Sequence, residues 1–214
     1  MKTLRTKLFG IILLAALIFT NSIHAQTDKQ TTRFGIKGGI NVSNMYAKEV
    51  ADKNTIIGFN GGLFLKVPIT PNFAFQPELL YTTKGAELKY SNSLISGSAS
   101  FSLAYIEVPL LAVINLTKNV NIQGGVYLSS LTSVKVKNVS DIGLFNFENE
   151  LKKSGFETLD YGLVGGMGVE FDKISLGIRY EYGMKPVGKD RPIFGRIPDA
   201  RNSTLQFYIG ISIL

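Results

Sequence analysis

Few residues in this chain can do chemistry: it has no cysteine and one histidine, His24, which lies in a leader expected to be removed. Disulfides, thiolate metal sites, a lipid-attached cysteine and His-based dyads or triads are therefore excluded, leaving carboxylates and amines. Lys37, Glu78, Glu107, Arg179 and Glu181 all fall on the polar side of segments that alternate apolar and polar residues. Charges held away from water persist only when paired and hydrogen-bonded. The five are therefore expected to form a charge network, with Lys37 and Arg179 neutralising Glu78, Glu107 and Glu181. An ion or proton path along the same groups is the competing chemistry. No catalytic residue, cofactor or metal ligand is expected. The glycine pairs, among them Gly165-Gly166, are not followed by the lysine and hydroxyl residue of a phosphate loop, and each lies inside a strand pattern.

Eight segments must position these groups, and each has a period of two, the signature of a strand. They run over 33–43, 57–67, 73–84, 101–116, 119–130, 159–171, 174–184 and 203–214. In ISLGIRYEYGM, Ile174, Leu176, Ile178, Tyr180 and Tyr182 alternate with Ser175, Gly177, Arg179, Glu181 and Gly183. In the closing STLQFYIGISIL, Leu205, Phe207, Ile209, Ile211 and Ile213 share the apolar parity.

The N-terminus has the layout of an export signal. Lys2, Arg5 and Lys7 precede an apolar run, and Ala25-Gln26 offers the cleavage point. The expected domains are a signal peptide at 1–25 and a single barrel at 26–214. Losing the leader lowers the formal charge from +7 to +4, because three basic residues leave with it. That is too mild for a nucleic-acid partner. No later segment is apolar for the roughly 18 residues a membrane helix needs.

A soluble sandwich would also alternate, its polar face meeting water. The connections favour a transmembrane barrel instead. Short links near Pro71-Asn72, 117–119 and Asp172-Lys173 alternate with long ones over 44–56, 85–100, 132–158 and 185–202. This is the pattern of periplasmic turns and extracellular loops. Phe34, Phe73 and Phe171 stand at the short-turn ends, while Phe59, Tyr81, Tyr161, Tyr180, Tyr182 and Phe207 stand toward the long loops, all on the apolar parity. Two such girdles suit two bilayer interfaces. The expected fold is all-β, an eight-stranded antiparallel up-and-down transmembrane barrel whose apolar parity faces lipid. In the last long loop, Lys185, Lys189, Arg191, Arg196 and Arg201 outnumber Asp190 and Asp199 by three. Lys189, Arg191, Arg196 and Arg201 are thus candidate contacts for outer-leaflet phosphates such as those of lipopolysaccharide, against the plainer expectation of a solvated loop.

GIKGGIN (35–41), FQPELLYTTKGAEL (75–88), YIEVPLLAVINL (105–116), DYGLVGGMGVEF (160–171) and ISLGIRYEYGM carry a family resemblance. They resemble the porin-family or PorT-like outer-membrane β-barrels of Gram-negative bacteria. The chain departs from such barrels in ending on Leu214 rather than an aromatic residue, so a weaker signal to the outer-membrane assembly machinery is expected. The resemblance implies location in the outer membrane and little about activity. Three classes follow from it: a non-enzymatic barrel whose loops contact envelope or external partners, an accessory subunit of an envelope secretion machine, and a lipid-modifying enzyme, the last weakened by the missing histidine.

Overall fold

The computed structural model describes residues 31–46, 53–91, 96–140, 147–150, 156–188 and 200–213. The expected leader and its cleavage point at Ala25 and Gln26 lie outside these residues, as do Lys189, Arg191 and Arg196.

Alternating side chains rich in Ile, Val, Phe and Tyr fit a pleated sheet with two unlike faces. Eight long strands realise it: β1 (Arg33–Tyr46), β3 (Ile56–Thr70), β4 (Phe73–Ser91), β5 (Ser96–Asn115), β6 (Val120–Ser140), β8 (Leu159–Phe171), β9 (Ile174–Pro186) and β10 (Arg201–Ser212). Two short strands, β2 (Lys53–Asn54) and β7 (Phe147–Glu150), pair with the upper parts of β4 and β6. Each long strand lies antiparallel to the next, and β1 meets β10, so the sheet closes into an up-and-down barrel. Closure leaves no sheet edge within the bilayer, where an unpaired backbone would be costly. The tight turn between β8 and β9 places Asp172 at φ 49°, a left-handed conformation that aspartate tolerates better than most residues.

Within the bilayer the barrel is apolar outside and polar inside. Ile36, Leu63, Leu110, Val126, Leu163, Leu176 and Ile209 are exposed, whereas Lys37, Glu78, Glu107, Arg179 and Glu181 are each at most 5% exposed. The girdle residues Phe59, Tyr81, Tyr161, Tyr180, Tyr182 and Phe207 are exposed on the outer face. Phe59 and Tyr81 stack on neighbouring strands with ring centroids 5.8 Å apart.

Two of the links expected as long loops are in good part strand. β4 continues to Ser91, β5 begins at Ser96 and β6 continues to Ser140, at 19, 20 and 21 residues. A bilayer crossing takes about 9–11 residues, so these three strands rise well beyond it. Above the girdle their polarity inverts. Ala86, Phe101, Leu103, Val134 and Val136 turn inward and are buried, while Lys135 and Lys137 are exposed on the outer face. With Met45, Tyr105, Leu131, Phe156, Val187 and Ala200, the inward Ala86, Leu103 and Val134 build an apolar core at the outer mouth. In β4 and β5 the inversion reverses the phase of the apolar alternation, which in sequence looks like the end of a strand.

One extra residue lets β6 make the change. The register with β5 steps from Ala104↔Ser133 to Tyr105↔Leu131, leaving Thr132 as a bulge. Its hydroxyl donates to the Ala104 carbonyl at 2.9 Å. Below the bulge Tyr127, Ser129 and Leu131 face in; above it Val134 and Val136 do.

Candidate functional site: the braced lumen

The barrel interior is built around two charged clusters. In the lower one, Glu78 of β4 accepts from Arg179 of β9 through both oxygens, at 2.8 and 2.9 Å. It also accepts from Lys37 of β1 at 3.0 Å and from Gln76 at 2.7 Å. Arg179 spends its remaining Nε–H on Gln123 Oε1 at 2.7 Å, and Gln123 donates to the Tyr208 hydroxyl at 2.8 Å. The Tyr208 ring draws both cations, with Lys37 Nζ 3.7 Å and Arg179 Cζ 4.5 Å from its centroid. Tyr208 can lie there because Gly177 is beneath it: a Cβ at 177 would come within 2.4 Å of the ring.

The upper cluster turns on a residue outside the expected network. Lys84 of β4 reaches Glu107 Oε2 at 2.5 Å and Glu181 Oε2 at 2.6 Å, and its side chain is fully buried. Ser129 donates to Glu107 at 2.8 Å. Lys84 also lies 4.2 Å from the centroid of Tyr127, whose hydroxyl donates to Asp160 at 3.3 Å. Asn202 donates to the same Asp160 oxygen at 2.8 Å.

The expected pairing therefore needs correcting. Lys37 and Arg179 meet Glu78, but Glu107 and Glu181 meet Lys84 instead. Barrel strands are tilted and staggered, so residues at one height sit at different fractions of their strands, and stagger is not visible in a single strand's pattern. The sequence signal for Lys84 was its polar parity, shared with Glu78 on the same strand. Asp160, also on the polar parity, is 4% exposed and carries the same sequence signal.

The pairs span the barrel. β4 and β9 are four strands apart in either direction around the ring of eight, so Glu78–Arg179 and Lys84–Glu181 are braces across its full width. At the short-turn mouth Glu170 accepts from Lys66 at 2.5 Å and Asn121 at 2.9 Å, with Arg33 at 3.5 Å. The cavity at this mouth, lined by Arg33, Lys37, Lys66, Gln76, Glu170 and Tyr208 among others, has a volume of about 20 Å³. That is room for one water. Of the candidate surface cations, Arg201 opens β10, opposite Tyr46 and Pro186. Lys185 is paired with Glu157 at 2.8 Å. Among the described residues no group of three or more His, Cys, Asp and Glu is arranged to hold a metal ion.

An apolar outer band with aromatic girdles, strands in place of membrane helices and a charged interior made of ion pairs define a bacterial outer-membrane barrel. Residues 24–187 match the family described as outer membrane protein beta-barrel domain, and the chain belongs to that family. It resides in the bacterial outer membrane. The solved structure of Neisserial surface protein A is 14% identical, covers 86% of this chain and 100% of its own, and superposes with a TM-score of 0.54, a likeness of fold. Ail of Yersinia pestis, solved with the heparin analogue sucrose octasulfate, is 14% identical over 86% of this chain and 100% of its own, with a TM-score of 0.45. The translocator domain of the autotransporter NalP from Neisseria meningitidis is 12% identical over 99% of this chain and 96% of its own, with a TM-score of 0.35. A search of curated proteins found no match.

Proposed function

We propose that this is a small non-enzymatic barrel with a filled lumen, whose outer tier and surface loops contact envelope or external partners. The observation that supports this reading is the pair of braces across the barrel, with every charged member at most 5% exposed. A ring of eight strands leaves an interior that side chains can fill. Reconstituted in planar bilayers, the protein is expected to give no steady conductance, despite the porin name of the proteins it resembles. Steady ion-selective current would overturn the filled lumen. Crosslinking in intact membranes followed by pull-down tests the contacts. Varied or transient partners fit a surface-contact protein, whereas repeated recovery of the same stoichiometric partners would make it a subunit of an envelope secretion machine.

Lipopolysaccharide is the proposed lipid partner, with Lys189, Arg191, Arg196 and Arg201 as its contacts and the export and assembly machineries acting before it. Neutralising Arg191 and Arg196 together is expected to weaken lipopolysaccharide association at low salt. Unchanged association would remove that role from the loop.

A further inference from the structure

β4 is the strand least continuously joined to its neighbours, and two prolines are the reason. Its register with β3 passes from Phe64↔Glu78 directly to Val67↔Phe75, skipping Leu65 and Lys66 opposite Pro77 and Gln76. Its register with β5 passes from Pro77↔Leu110 to Leu80↔Glu107, skipping Glu78 and Leu79 opposite Pro109 and Val108. Proline has no N–H to give to a ladder, and hydrocarbon offers no water in its place. The junction of the first and last strands is intact by comparison, paired at every position from Gly35↔Ser212 to Tyr46↔Arg201.

Both interruptions converge on Glu78. It is also where the lumen grips β4 from two other strands, through Lys37 of β1 and the two bonds from Arg179 of β9. Leu79, the next residue, faces outward and is 51% exposed. We propose that the segment from Gln76 to Leu80 is a lateral hatch in the barrel wall. The ion-pair clamp on Glu78 stands in for the ladder bonds that Pro77 and Pro109 cannot make. While the clamp is closed the wall is sealed. When Glu78 is released, the segment moves outward between β3 and β5 and the lumen opens sideways toward lipid. A hatch of this kind leaves the filled resting lumen unchanged, so a failed hatch and a conducting lumen are separate results.

Hydrogen–deuterium exchange on the mature protein folded in lipid nanodiscs tests the hatch. In Arg179→Gln, amides in 78–80 and 107–111 are expected to exchange about tenfold faster or more, the scale of losing a charge-assisted hydrogen bond, while β1 and β10 stay protected. Adding Pro77→Val and Pro109→Val restores the missing donors and should return most of that protection. Should Arg179→Gln not fold, Lys37→Met removes the other cation of the clamp and is read in the same way. Acceleration spread evenly over all strands, no acceleration, or acceleration that the valines do not reverse would each overturn the proposal.

Discussion

Lys84 holds Glu107 at 2.5 Å and Glu181 at 2.6 Å with a single ammonium group. Breaking a buried pair from one side strands the other charge, at a cost of about 3–5 kcal/mol. Lys84→Met strands two carboxylates at once, so its loss in urea unfolding from lipid vesicles should reach at least that range. Combining it with Glu107→Gln and Glu181→Gln should recover much of the loss, because no uncompensated charge remains. Outside the barrel the same logic applies to a single residue. Ile209 lies on the lipid face between Leu205 and Ile213, and it is 46% exposed. Ile209→Lys should cost about 2–4 kcal/mol in the same assay, the range for a lysine at the bilayer midplane. That Glu78, Glu107, Arg179 and Glu181 belong inside was legible from parity alone. Which cation meets which carboxylate was not, because parity gives a side chain its face and leaves its height open.

Thr132 is an element-scale device, for it changes which residues of β6 face inward. Deleting it would make Leu131 and Ser133 consecutive partners of Tyr105 and Ala104, a regular ladder in which Val134 and Val136 still face inward and Lys135 and Lys137 outward. The lower strands lie beneath the bulge and keep their register. The deletion variant should therefore still fold into bilayers and shift on unboiled gels, with the upper part of β6 as protected from added protease as in the wild type. Loss of that protection would mean that the outer tier needs the local twist of the bulge and not only its register. The bulge also marks where reading by period stops working. The segment expected over 119–130 is the membrane-crossing part of β6, and that over 101–116 is the membrane-crossing part of β5 with Phe101 and Leu103 of the outer tier added, whereas 132–140 read as loop because Ser129, Ser130, Leu131, Thr132 and Ser133 interrupt the alternation. A rule that equates the apolar parity with lipid holds only as far as the lipid extends.

At the scale of the whole molecule, the alternation of short turns and long connections was enough to set the strand count and to put the start of β1 and the end of β10 on the short-turn side. The additions β2 and β7 were not visible, being two and four residues long. Their pairings lie at 87–88 of β4 and 135–138 of β6, on the outer flanks of the overhanging sheet. Capping of this kind is how a sheet standing in water avoids pairing with a stranger. The inversion of polarity along β4, β5 and β6 has a further consequence for how the molecule reaches its place. The exposed Lys135 and Lys137 have to cross the hydrocarbon before they arrive outside, and the core behind them can close only once loop residues such as Phe156, Val187 and Ala200 have crossed as well. Assembly is therefore two events in fixed order, a lipid-driven closing of the lower barrel and then a water-driven condensation of the outer tier. The second begins only after the first has delivered its parts to the far side.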